Sequence, residues 1–246
     1  MVTAIAGPGT AETTWQAWPA LRTFPVLPLT EVRHLVVVAP HPDDEVLGAG
    51  GTMRLAVDAG VRVELLAVTD GEASHPGSTA VTPTQLATIR RGETAAAMTA
   101  LGLAHQPIHR VGIEDGAVDA AEPALAAAIA ARLTSSSWCL ATWASDGHPD
   151  HEATGRAAAA ACATTGARLL GYPVWTWHWA APGDSRVPWQ VACRVPLPQP
   201  VRTAKAAAMT CYTSQLRPLG PRPEDAPVLW PGALARFDRD AEVFFG

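Results

Sequence analysis

Five short apolar runs, each followed by a polar turn or a stretch of helical periodicity, restrict this chain to folds built on a buried parallel sheet. The first, from Leu35 to Ala39, reads LVVVA and shows no polar alternation, so both of its faces must be covered. A helical pattern follows from Glu45 to about Ala59 and stops at Gly60. Val61 to Val68, Ile108 to Val111, Trp138 to Trp143 and Arg168 to Tyr172 repeat the strand signal, and helices are predicted over Thr84 to Leu101, Glu122 to Leu133 and His151 to Thr165. Strands alternating with helices of this length form βαβ units. The expected fold is therefore α/β, a Rossmann-like three-layer sandwich with helices on both faces of a mostly parallel sheet. In such a sheet, ligands bind outside the carboxyl ends of the strands, where the strand order reverses.

A chain of 246 residues has room for one large domain or two small ones, and no linker divides this one. Residues 1–30 carry Pro8, Pro19, Pro25 and Pro28 and read as an N-terminal arm lying over the domain rather than as a regular element. Residues 31–246 read as a single domain, with Pro173 to Pro200 an excursion over one edge or mouth of the sheet. A net charge of −5 and scattered Lys and Arg give no field for a phosphate backbone, which argues against nucleic acid as a partner. No run reaches the ~18 apolar residues that cross a bilayer. The first residues lack the basic and apolar segments of a secretory signal, so a cytoplasmic protein with no membrane partner is expected. Cys139, Cys162, Cys193 and Cys211 are far apart and read as reduced thiols.

Chemistry concentrates in two strand-end loops. The first reads Ala39-Pro40-His41-Pro42-Asp43-Asp44-Glu45, an imidazole and three carboxylates where unpaired charge is costly unless exposed, paired or metal-bound. The second, Asp146-Gly147-His148-Pro149-Asp150-His151-Glu152, again follows a strand and opens a helix. Either His-Pro-Asp tripeptide alone could be an Asx turn capping the next helix; two on one sheet edge ask for a cation. His41, Asp44 and His151 supply two imidazoles and a carboxylate, a donor set that suits catalytic zinc and leaves a position open for water.

These residues resemble the PIG-L or LmbE-like N-acetylglucosaminyl deacetylases. The resemblance rests on APHPDDE at 39–45 and HPDH at 148–151. Support comes from Thr69-Asp70-Gly71-Glu72, Arg90-Arg91-Gly92-Glu93, Leu101-Gly102, Asp115-Gly116, and Lys205 with Tyr212-Thr213-Ser214-Gln215, so that residues 33–216 are covered. It implies an LmbE-like fold, one zinc or other divalent ion per chain held by His41, Asp44 and His151, and Asp43 as general base. It also implies His148 as the imidazole near the scissile amide, Asp150 as its orienting partner, and Arg90 as a contact to polar groups of the substrate. Elementary chemistry agrees, since a metal lowers the pKa of water towards ~7, Asp43 beside a ligand can take its proton, and a protonated His148 can stabilise an oxyanion or protonate the departing amine. Two positions depart from the family. Asp146 stands where some members carry a Tyr that helps polarise the carbonyl, and Tyr212 stands where many carry His.

The substrate implied is a small N-acetyl sugar or glycoconjugate. Asp115, after the third strand, could accept sugar hydroxyls or serve as a turn acid before Gly116. Arg90 could equally pair with Glu93 on the helix surface, and Glu45 is expected to serve the helix N-terminus electrostatically. If Tyr172 to Trp179 is extended, Trp175, Trp177 and Trp179 share one face as a platform for a pyranose, with His178 as a polar contact; the alternative is a Trp face buried against the sheet. Gly48-Ala49-Gly50-Gly51 lies inside a helix pattern behind acids, which excludes a pyrophosphate cradle. Three other readings keep the same loops: an amidase acting on another N-acyl or conjugate substrate, a metal-stabilised sugar-binding protein without turnover, and a binuclear phosphoesterase. The oligomeric state stays open.

Overall fold

The structure, a computed structural model, describes residues 7–246. One seven-stranded sheet organises it: β1 His34–Ala39, β2 Arg62–Ala67, β3 Ile108–Arg110, β4 Ser137–Thr142, β5 Arg168–Tyr172, β6 Ala192–Pro196 and β7 Ala241–Phe245, in the order β3-β2-β1-β4-β5-β7-β6. The first five strands are parallel, and β7 and β6 add an antiparallel edge. Leu35 to Ala39 are fully buried, as a run without alternation requires. The two faces carry separate cores, one around Leu35, Val37, Leu65 and Leu140, the other around Val36, Val38, Leu66 and Cys139.

The main helices follow the predicted strands: α3 Asp44–Asp58, α4 Pro83–Ala100, α5 Glu122–Ala130, α6 Pro149–Thr165 and, late in the chain, α8 Gln199–Met209. Thr82 and Gln85 start α4 with a reciprocal capping box ahead of Pro83. Gly166, at φ +74°, ends α6. No helix among the described residues is long and apolar enough to cross a membrane. Cys139 and Cys162 are buried, Cys193 and Cys211 half-buried, and all four are free thiols.

Three expectations need correction. Of the expected arm, residues 1–6 lie outside the described residues, and two helical turns, α1 Glu12–Gln16 and α2 Ala20–Thr23, make the rest more regular than its prolines suggested. The excursion from Pro173 to Pro200 contains the edge strand β6. The aromatic run is not extended: α7 Thr176–Trp179 is a helical turn, so its tryptophans point in different directions. Trp177 is buried, edge-on to Trp15 at 5.1 Å, and the Trp15 indole N–H donates to Trp177 O at 2.9 Å. Trp18, Phe24, Trp189 and Phe245 extend this cluster. Arg239 lies over the Trp177 ring and Arg186 over that of Trp179. Trp177 thus fastens the arm, and the three indoles do not share the one face that a sugar platform would need.

Candidate metal and active site

Strand order reverses between β1 and β4, and the loops leaving their carboxyl ends meet there. His41 comes from the first loop, Asp44 from the opening of α3, and His151 from the first turn of α6. His41 Nδ1 is 3.2 Å from His151 Nε2 and 3.3 Å from Asp44 Oδ2, and His151 Nε2 is 3.2 Å from the same Oδ2. A tetrahedral ion with bonds of ~2.0–2.1 Å separates its ligand atoms by roughly 3.3 Å. The three atoms therefore already form one face of such a tetrahedron, and the imidazole and carboxylate donors suit a borderline divalent metal.

The outward nitrogens support the same reading. His151 Nδ1 donates to Asp146 Oδ2 at 2.8 Å, while His41 Nε2 lies 3.1 Å from Asp150 Oδ2 and 3.2 Å from Asp115 Oδ1. A carboxylate behind each imidazole fixes its tautomer and orientation, as in metal centres generally. The protons are shifted accordingly. Burial alone would lower His151, but the charge of Asp44 and hydrogen bonds to Asp146 and Asp44 raise it to about 9. His41, also opposed by burial, is held well above an ordinary imidazole by Asp115, Asp150 and Asp44. Asp44 is kept ionised against burial by His151 and His41. Without a metal, this cluster stores protons that a cation would displace.

Asp43 sits beside the triangle, raised by burial to about 8 despite the opposing Arg90 charge, with Asp44 and Glu45 adding to the rise. The Arg90 guanidinium is buried: Nη2 donates to Pro42 O at 2.6 Å and to Asp43 Oδ2 at 3.2 Å, and Nη1 to Gly71 O at 2.8 Å. Gly71 makes room for it, since a Cβ there would lie 1.9 Å from Nη1. The surface ion pair with Glu93, one of the two sequence readings of Arg90, does not form. The guanidinium lies against Asp43 rather than pairing with Glu93, which instead accepts from Thr213 and Ser214. Glu45 does not simply face the helix N-terminus, for its Oε2 accepts the Asp43 N–H at 3.1 Å and its Oε1 the Tyr212 hydroxyl at 2.6 Å.

His148 caps α6, its Nδ1 accepting the Asp150 N–H at 3.3 Å, and its ring lies 4.9 Å from those of both His41 and His151. Burial and the charges of His151 and His41 lower it to about 3. In the metal-free protein the ring is accordingly neutral, with Nδ1 accepting and its remaining proton on Nε2. Asp150 orients a different histidine from the one expected. Its carboxylate turns to His41 and to the Gly116 and Val118 N–H groups, and only its backbone meets His148. Asp115 has its second oxygen engaged by the Ala73 N–H at 2.9 Å and is lowered to about 2, chiefly by His41 overcoming the effect of burial. The ligand atoms of His41, His148 and His151, and separately those of His41, Asp115 and Asp150, lie within 4.8 Å of one another.

His178 is the clearest misplacement. It is buried between Trp175 and Trp230, with Arg236 Nη1 3.1 Å from its Nδ1, and Arg236 also binds Pro8 O and Thr10 O. It fastens the arm and offers no surface to a sugar. Asp146, noted in the sequence only as a departure from the family pattern, has a role here that motif reading did not give. Fully buried, it accepts from His151, from the backbone N–H groups of Val174, Trp175 and Thr176, and from the Thr176 hydroxyl. Its place five residues before a candidate ligand was the available signal.

A family model described as PIG-L, GlcNAc-PI de-N-acetylase, matches residues 36–162, just over half of the chain. Among curated proteins, a 1D-myo-inositol 2-acetamido-2-deoxy-alpha-D-glucopyranoside deacetylase of Kineococcus radiotolerans is 33% identical over 214 residues, which cover 73% of this chain and 55% of that protein. The chain thus spans about half the length of that relative. A conserved protein of Thermus thermophilus shares the fold at a TM-score of 0.60 and 27% identity, over 86% of this chain and 93% of that one. So does an N,N'-diacetylchitobiose deacetylase from Pyrococcus horikoshii, at a TM-score of 0.60 and 20% identity, over 83% of this chain and 79% of that one.

Proposed function

The chain belongs to the PIG-L family, and on that premise we propose that it is a metal-dependent hydrolase that removes the acetyl group from an N-acetylated amino sugar or small glycoconjugate. The observation that carries the reading is the triangle of His41 Nδ1, Asp44 Oδ2 and His151 Nε2, with a carboxylate behind each imidazole. These three residues would hold one divalent ion per chain, zinc by donor type, which as a Lewis acid acidifies water and polarises the amide carbonyl.

The chain's own groups then divide the proton work. Asp43, adjacent to the ligand Asp44, acts as its carboxylate to take the proton of the attacking water, and the burial that raises its affinity for a proton suits it to hold that proton through the step. Arg90, at 3.2 Å, aims that carboxylate and limits the rise of its pKa. A neutral His148 whose Nδ1 accepts the Asp150 N–H presents Nε2–H as a donor, so it stabilises the developing oxyanion by a hydrogen bond without being charged. The proton held by Asp43 passes to the nitrogen as the amine departs, and acetate remains. Asp150 sets the orientation of His41, and Asp115, from the loop after β3, whose oxygens hold His41 Nε2 and the Ala73 N–H, keeps further acceptor capacity for substrate hydroxyls.

A metal-replete amine-release screen over N-acetyl sugars and their longer N-acyl analogues tests this. Acetate release from N-acetylglucosaminides is expected to exceed turnover of the longer analogues. Preference for a larger acyl group would make the protein an amidase of another class. Ligand binding without amine release, unchanged by Asp43→Asn, would make it a binding protein.

A further inference from the structure

We propose that Tyr212 is a positioning residue for the base, acting through Glu45 to hold Asp43 in a backbone conformation that the residue would not keep alone. The kinetic consequence depends on the deacetylase reading above; the structural consequence does not. Asp43 has φ +116° and ψ −35°, and among the described residues no other non-glycine residue has a positive φ. A side chain is held in such a region only where its surroundings over-determine it.

Here the surroundings do so from two sides. Arg90 grips the carbonyl of Pro42 and the carboxylate of Asp43. Glu45 Oε2 accepts the Asp43 N–H, and Glu45 is itself held by the Tyr212 hydroxyl, donated to Oε1 at 2.6 Å across 167 residues of sequence. Tyr212 is buried, and the next residues seat it: Thr213 Oγ1, Ser214 N–H and Ser214 Oγ donate to the Glu93 carboxylate at 2.8, 2.7 and 2.7 Å. Glu93 is one turn beyond Arg90 on α4. One helix thus supports the base twice, directly through Arg90 and indirectly by placing Tyr212. Burial and the Glu45 charge keep the phenol well above its ordinary pKa, so it remains a donor. Tyr212 touches Glu45, not the reacting atoms, which is why its role is positioning.

Tyr212→Phe keeps the ring and removes the hydroxyl. In the metal-loaded variant, the Asp43 amide, followed by NMR hydrogen exchange, is expected to exchange at least tenfold faster, while Val36 to Val38 in β1 keep their protection. On the best substrate of the amine-release screen, kcat is expected to fall about tenfold, with KM within twofold and metal per chain unchanged. Glu45→Gln leaves one oxygen for two donors and is expected to show the same exchange effect, the double variant being no worse than the more affected single one. An Asp43 amide that exchanges as in the parent protein overturns the inference, and so does a loss of kcat that tracks loss of metal or of β1 protection. Should Tyr212→Phe fail to fold, Glu45→Gln decides by the same exchange readout. A parent protein that releases no amine from any N-acyl sugar removes the deacetylase reading and leaves the exchange result to decide the positioning role.

Discussion

Replacing Asp146 by Asn preserves the shape of the side chain and turns one acceptor into a donor. Asp146 Oδ1 takes the Val174 and Thr176 N–H groups and the Thr176 hydroxyl, at 2.9, 2.9 and 2.5 Å, so the amide oxygen of the variant is expected to remain there. The new NH2 then faces His151 Nδ1 and the Trp175 N–H, at positions where the carboxylate oxygen is 2.8 and 2.9 Å away. Two donors oppose a third. His151 relieves the conflict by moving its proton to Nε2, the atom 3.2 Å from both His41 Nδ1 and Asp44 Oδ2. A protonated Nε2 cannot ligate. Loss of such an outer partner typically costs 10–100-fold in metal affinity, roughly 1.4–2.7 kcal/mol. The stranded Trp175 N–H adds about 1–3 kcal/mol to the cost of folding. At ~2–4 °C per kcal/mol for a chain of this size, the metal-free Tm is expected to drop by ~2–12 °C. Chelator competition reads the affinity and thermal unfolding in EDTA reads the stability. An affinity within twofold of the parent would refute the claim that Asp146 sets the tautomer of a ligand, even if the Tm falls.

Asp43→Asn is expected to lower amine release by ~10²–10⁴-fold while metal analysis still finds one ion per chain. His151→Ala is expected to abolish metal retention, whereas His148→Ala keeps the metal and loses turnover; equal metal loss in both would end that division of roles. Because the His151 pKa in the folded metal-free protein, about 9, lies above the ordinary 6.5, its contribution to stability is complete below pH 6.5 and disappears as pH rises through about 9. Urea midpoints in EDTA should therefore be lower at pH 9 than at pH 6.5, with added zinc reducing the difference; a flat profile in EDTA would contradict the buried proton. Gly71→Ala, at φ +67° and with its Cβ 1.9 Å from Arg90 Nη1, should displace the guanidinium from Asp43. Turnover is then expected to fall about tenfold or more, as a misplaced group typically costs, with metal content unchanged.

The parallel half of the sheet was legible because β1, β2, β4 and β5 are buried on both faces and their residues say so without reference to anything distant. The antiparallel edge was not. β6 contains Arg194 and follows a Pro-rich stretch, and β7 takes its place only by pairing with β5 and β6 from far along the chain. In the site, the triangle of His41, Asp44 and His151 could be anticipated from two tripeptides because both follow strand ends of one sheet, and the observed order places those two strands side by side. The outer partners could not. Whether Asp150 meets His148 or His41 depends on side-chain rotation, and Asp146 became a partner of His151 only because the chain from Val174 to Thr176 wraps around it. The same wrapping turned an apparent two-residue alternation of tryptophans into a helical turn.

His41 and His151 lie 110 residues apart in sequence, yet β1 and β4 are adjacent in the sheet. Between them the chain must lay down β2 and β3 on the far side of β1 and then return. The cluster is therefore a record of that return. A chain emerging from the ribosome only as far as β3 offers His41 and Asp44 without their third partner. On the proposed function, metal capture is tied to closure of β1 on β4, and metal uptake during refolding is expected to report the arrival of this most non-local pairing of the parallel sheet.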